Sequence, residues 1–143
     1  MSFAPIFSWP VRIYYEDTDA GGVVYHTNYI KFMERARTEF LRSQGIELDV
    51  MEAEYRILFA IRALAVEYRR PARLNDLLRV TVDFDAVRSA SLMFRQTVFR
   101  DDELLCDGSV RVASICADSF LPKAIPDFMQ VQLAERLAAR AGE

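Results

Sequence analysis

The 143 residues suit one domain, 1–143, with 52% hydrophobic and 27% charged side chains, an ordinary globular composition rather than a disordered one. A net charge of −3, from 18 basic and 21 acidic residues, argues against a nucleic-acid binder. No apolar run nears the roughly 20 residues of a membrane span. The start, MSFAPIFSWP, has no basic segment ahead of an apolar one, so the expectation is a cytoplasmic protein that is not membrane-embedded.

Along the chain, VRIYY (11–15) is β-branched and aromatic and reads as a strand. The stretch EDTDAGGVVYH (16–26) follows, holding three acids, a glycine pair and the chain's one histidine. From Asn28 to Gln44 the period becomes helical, with Tyr29, Phe32, Met33, Ala36 and Phe40 on one face. Thr27 or Asn28 suits the cap, and Gly45 stands where a helix-ending glycine belongs. Residues 57–69 are apolar on both alternating faces, which predicts a central strand covered on both sides, or one that meets a second copy of the chain. Residues 77–88 alternate, with Leu78, Val80, Val82, Phe84 and Ala86 on one face. Residues 91–100 and 104–117 extend this into an antiparallel meander, with Asp101-Asp102 at a hairpin turn. A loop with two prolines leads to a helix over about 126–140, whose expected buried face is Phe128, Val131, Ala134 and Leu137. One long helix against one antiparallel sheet is an α+β layout. Cys106 and Cys116 read as free thiols in a reducing compartment, and with a single His no metal site is expected.

The glycine pair permits a sharp turn and lets a ligand approach the backbone, Gly22 in particular. The helix start beyond it offers unpaired N–H groups and a partial positive charge. A carboxylate facing those donors makes a hydrolytic pair: the N–H groups hold a developing oxyanion while the carboxylate attacks or activates water. A carboxylate is a weak nucleophile, so the fitting substrate is an activated ester such as a thioester. The same Asp-x-Asp-x-Gly-Gly pattern also writes a plain turn. A Ser-His-Asp hydrolase is disfavoured, because the chain has no G-x-S-x-G.

RIYYEDTDAGGVVYHTNYIKFMERARTEFL resembles the signature of the hotdog-fold acyl-CoA thioesterases related to 4-hydroxybenzoyl-CoA thioesterase. FSWPVRIYYEDTDAGGVVYH and VEYRRPARLND are more closely similar to the YbgC branch, associated with the Tol-Pal cell-envelope system. The similarity runs from about Phe7 to Pro126. It implies a long central helix wrapped by a five-stranded antiparallel sheet, with a short C-terminal helix. By the same resemblance the catalytic carboxylate falls on Asp19, Asp17 is structural, and the amide that polarises the carbonyl falls near Tyr25 and His26. Tyr25 would line the acyl pocket, and the His26 side chain would orient substrate or water. Some other hotdog enzymes carry a catalytic Glu on the helix, which makes Glu34 the alternative. The resemblance further implies CoA phosphates held by Arg88, Ser89 and Ser91, or by Arg69, Arg70 and Arg73. It implies no cofactor, and a homo-oligomer that is a dimer of hotdogs assembling into a tetramer. Two other readings stand beside the acyl-CoA substrate. One is an acyl carrier protein thioester; the other is a scaffold or binding role in phospholipid synthesis or envelope maintenance.

Overall fold

The computed structural model describes residues 4–141. In chain order it contains β1 (Phe7–Arg12), a single 3-10 turn (Tyr15–Asp17), α1 (His26–Ser43), α2 (Leu48–Tyr55), β2 (Ile57–Tyr68), β3 (Leu77–Phe84), β4 (Ser91–Arg100), β5 (Glu103–Cys116) and α3 (Asp127–Ala141). The five strands form one antiparallel sheet in the order β1-β3-β4-β5-β2. This is the expected α+β layout. Among the described residues no helix is long and apolar enough to cross a bilayer.

The core sits between α1 and one face of the sheet. Tyr29, Phe32, Met33, Ala36 and Phe40, the apolar stripe read from the helical period, are all buried. They meet Leu78, Val80, Val82 and Phe84 of β3 and Phe94 and Val98 of β4. Each large side chain removed from water contributes about 1.5–3 kcal/mol. Gly108 lets β5 run close beneath the helix: a Cβ there would stand 2.8 Å from the Ala65 carbonyl oxygen and 3.6 Å from Met33 Cε.

Several elements differ from expectation for identifiable reasons. The first strand lies at Phe7–Arg12 rather than 11–15, because the Asp17 carboxylate accepts the Tyr14 N–H at 2.8 Å and curls the following residues into the 3-10 turn. α1 starts at His26, two residues early, and its N-cap Tyr25 makes no side-chain cap. Gly45 does end that helix region in the left-handed conformation, φ 77°. α2 was not visible as a helix in the sequence; it is short, buries only Met51, and stops where Arg56 turns left-handed. β2 is an edge strand, not a central one, and much of it is exposed, including Ile61 and Leu64. β3 stops at Phe84, leaving Ala86 exposed in the following loop. On α3 the buried residues are Met129 and Leu133, and Leu137 of the expected face packs against the core half-buried, while Phe128, Val131 and Ala134 face solvent.

Candidate active site

The loop before α1 is a knot of short-range hydrogen bonds. Gly22 N–H donates to the Asp19 carbonyl at 3.0 Å, and Asp19 N–H donates to Val23 O at 2.9 Å. Gly22 takes φ 78°, a conformation that L side chains resist. Gly21 N–H donates to the Asp19 carboxylate, Oδ1, at 2.8 Å, which aims that otherwise exposed side chain. An open pocket beside it is lined by Tyr15, Thr18, Asp19, Ala20, Gly22 and Leu74.

Asp17 joins this loop to the helix. Its carbonyl accepts both the Tyr25 N–H at 2.9 Å and the Asn28 side-chain amide at 2.8 Å. Asn28 is buried and so acts as a brace rather than a cap. The Tyr25 N–H is therefore already engaged, which leaves the next amides as the donors to consider near the expected position. His26 and Thr27, the first two helical residues, form no hydrogen bond through their N–H groups among the described residues. They carry the helix's positive end.

The Tyr25 and His26 rings are exposed and 4.7 Å apart between centroids. Tyr68, at the end of β2, donates its hydroxyl to the His26 carbonyl at 2.7 Å and packs edge-on to His26 and Tyr29. Burial pushes the Tyr68 phenol above its usual range, so it stays a neutral donor. Sequence reading missed Tyr68 and took Asn28 only as a cap candidate. Their functional placement depends on the fold, because β2 reaches the helix start only through the sheet; the VEYRRP match was the one available signal.

The other expected residues separate into two groups. Arg69 pairs with Asp107 at 3.0 Å and Arg70 with Glu103 at 2.9 Å, both guanidiniums remaining largely exposed. Arg88, Ser89 and Ser91 line a groove of about 560 Å³ that also holds Arg62 and Arg111. None of these three arginines forms an ion pair among the described residues. Arg62 is the extra residue at the β2 register shift between Ile61 and Ala63, and a bulge of this kind re-aims a side chain. Arg111 alternates with buried Val110 and Val112, so it projects from the face away from α1. On one chain, Asp19 and this groove have no lining residue in common.

An exposed, aimed carboxylate in the loop leading into a helix start with free N–H donors suits attack on a polarised carbonyl. The chain matches the thioesterase-like superfamily over residues 14–133. It is 44% identical over 123 residues to the acyl-CoA thioester hydrolase YbgC of Escherichia coli O6:H1, covering 85% of this chain and 90% of that one. It is 42% identical over 120 residues to the acyl-CoA thioesterase YbgC of Haemophilus influenzae, covering 84% and 88%. Its fold superposes on the solved structure of a probable thioesterase from Bartonella henselae with a TM-score of 0.80 at 28% identity, covering 87% and 100%. The layout is thus the hotdog fold of thioesterases, and the chain is a thioester hydrolase that belongs to the thioesterase-like superfamily, in its YbgC branch.

Proposed function

We propose that the chain hydrolyses acyl-CoA to CoA and a free carboxylic acid, with Asp19 as the working carboxylate. The observation that carries this reading is the Asp17 carbonyl clamp, which locks the Asp19 loop to a helix start whose His26 and Thr27 N–H groups are unengaged. The thioester oxygen would sit on those donors. Asp19 would then attack the carbonyl carbon, or take a proton from the water that does. If Asp19 acts as base, the tetrahedral intermediate breaks its C–S bond, the proton taken from water passes to the CoA sulfur, and the acyl group leaves as the acid. If Asp19 attacks, C–S cleavage releases the CoA thiolate and leaves a mixed anhydride on Asp19. A water then adds to that anhydride, its proton going to the thiolate and the acid leaving with Asp19 restored. Backbone donors of this kind contribute roughly 10²–10³ each in rate. The His26 side chain and Tyr25, both exposed at the helix start, would orient substrate or water, and the glycine turn at Gly22 lines the pocket beside Asp19.

Arg62, Arg88 and Arg111 with Ser89 and Ser91 would hold the CoA phosphates, since forked guanidinium bonds suit phosphate oxygens. Because this groove and Asp19 are separate on one chain, the reading requires a second copy, and we place it on the exposed edge of β2 as a dimer of hotdogs that builds a tetramer. The free state of Cys106 and Cys116 supports a reducing, cytoplasmic setting. Docking of an acyl carrier protein at Arg69 and Arg70 is weakened by their ion pairs.

Thiol release from a panel of aliphatic and aromatic acyl-CoAs tests the reaction, with wild type and Asp19→Asn side by side. The expected result is an active wild type and a loss of about a hundredfold or more in kcat/KM for a folded Asp19→Asn protein. Equal rates for the two proteins on every substrate would remove Asp19 from the chemistry.

A further inference from the structure

Helix α1 begins without the side chain that ordinarily caps a helix. Its N-cap is Tyr25, which makes no side-chain cap bond. A Ser, Thr or Asp at that position would accept the N–H of the second or third helical residue, here Thr27 or Asn28. The Asn28 N–H already turns back to the Tyr25 carbonyl at 2.9 Å. A capping side chain would therefore consume the Thr27 N–H, and Tyr25 leaves it open. The helix start is braced from its carbonyl side instead. Tyr68, the last residue of β2, donates its hydroxyl to the His26 carbonyl at 2.7 Å. That carbonyl and the Thr27 N–H are the two ends of one peptide group. Tyr68 is 46% exposed, so water could serve its hydroxyl nearly as well, and the bond adds little to stability.

A hydrogen bond accepted by an amide oxygen polarises the whole peptide and makes its N–H a stronger donor, by about 10–30% in chains of such bonds. We propose that Tyr68 is a positioning residue of the hydrolytic site: through the His26–Thr27 peptide it holds and strengthens the Thr27 N–H that receives the thioester oxygen, a role that rests on the proposed reaction. Tyr68 thus acts through the peptide and not on the substrate. The residue type fits this part. Its ring meets His26 and Tyr29 edge-on, at 6.2 and 5.6 Å between centroids, and these contacts steer the hydroxyl to the helix start. Burial holds the phenol above its usual range, so it keeps the proton it donates. A phenylalanine would retain the ring contacts and lose only the hydroxyl. A backbone donor worth roughly 10²–10³ in rate, strengthened by about 10–30%, changes the rate by about twofold to eightfold.

The chain has one histidine, so carbonyl-¹³C histidine in a ¹⁵N-labelled protein marks a single peptide, and a carbonyl-correlated amide spectrum shows one signal, that of Thr27. Asp19→Asn protein is loaded with the acyl-CoA that wild type hydrolyses fastest. Loading should move the Thr27 amide proton downfield, and the movement should be smaller when Tyr68→Phe is added. In single-turnover hydrolysis Tyr68→Phe alone should lose about twofold to eightfold in rate, with half-saturation and Tm close to wild type. Tyr68→3-fluorotyrosine, a stronger donor while its phenol is protonated at about pH 6, should enlarge the movement, and it decides the matter if Tyr68→Phe fails to fold. A Tyr68→Phe rate equal to wild type, a change confined to half-saturation, or a Thr27 signal indifferent to loading or to the fluorine would each overturn the proposal. Asp19→Asn separates the two readings. If it hydrolyses as fast as wild type, Asp19 is not the working carboxylate, and the Tyr68→Phe rate still decides the positioning role. If it is inactive while Tyr68→Phe matches wild type, the positioning role alone falls. A wild type that hydrolyses no acyl-CoA overturns both.

Discussion

At Gly21 an added Cβ would stand 3.1 Å from Asp19 Oδ1, with no backbone strain from a positive φ. At Gly22 the space is open but φ is 78°. The two neighbours should therefore fail in different ways. Gly21→Ala pushes the carboxylate by a few tenths of an ångström, and small misplacements of reacting groups are costly. It should lower kcat by about tenfold with little change in Tm. Gly22→Ala forces an L residue into the left-handed region, which costs about 1–2 kcal/mol, and should lower Tm by a few degrees. Kinetics and thermal melts on both variants check the contrast; equal Tm losses with unchanged kcat would remove the link between Gly21 and the carboxylate. The cysteines divide in a similar way. Burial pushes the Cys106 thiol up to about 12, with the nearby Asp107 charge adding to the effect. Cys116 is lowered by hydrogen bonds from the Ser119 hydroxyl and from the Ser119 and Asp118 backbone. An alkylation time course at pH 8 should label Cys116 readily and reach Cys106 only in denaturant.

The segment 69–76 between β2 and β3 holds the Asp19 loop from behind. Ala72 O accepts the Val24 N–H at 2.9 Å, Ala72 N–H reaches the Tyr29 hydroxyl at 2.9 Å, and Asp76 O accepts the Ile13 N–H at 2.9 Å. Arg100 of β4 fastens that segment, bonding Asp76 at 2.7 Å and the Pro71 carbonyl at 3.2 Å, and pairing with Glu103. Burial raises the Asp76 pKa, but bonds from Arg100 and the Arg73 N–H outweigh it and leave it lowered. Glu103 is lowered first by its hydrogen bond to Arg100. Depressed carboxylates stabilise the fold above their unfolded pKa values and lose that contribution as pH falls through the folded ones. Arg100→Met should therefore lower Tm by about 3–6 °C at pH 7, with the gap to wild type closing below about pH 4. A gap that does not vary with pH would mean the arginine acts through packing alone. This fastening was not legible in the sequence, because it joins two segments, 71–76 and 100–103, that lie far apart in the chain. What was legible was local: the stripe on α1, the alternation of β3, the hairpin at Asp101, and a motif dense enough to single out the loop around Asp19. α2 escaped because eight residues with one buried side chain leave little periodic signal. The α3 face was misread because its start at Asp127, packed through Met129 and Leu133, rotates the helix away from Phe128.

At the scale of the molecule, the sheet ends differently on its two sides. β1 closes one edge with six residues that include Pro10, a residue that cannot donate to a further strand. β2 leaves twelve residues on the other, with Ile61 52% and Leu64 42% exposed. A long edge carrying apolar side chains is a template for another strand, and chains ordinarily blunt such edges with charge, proline or cover. Here the device is weak: Arg62 stands alone at the bulge within an apolar run from Ile57 to Val66. A second β2 running antiparallel would satisfy the open backbone groups and cover Ile61 and Leu64 together, which is why the dimer is placed on this edge. Like charges opposed across a two-fold axis repel, so Ile61→Lys with Leu64→Lys should turn the proposed dimer or tetramer into a 16.5 kDa species in sedimentation at micromolar concentration. Because both residues lie outside the helix-facing core, each isolated subunit should keep its secondary structure. Its thioesterase rate should fall by about a hundredfold, since Asp19 of one copy would no longer meet the arginine groove of another. A wild type that already sediments as a monomer while hydrolysing acyl-CoA would defeat the shared site, and a doubly substituted protein that stays assembled would move the interface to another face.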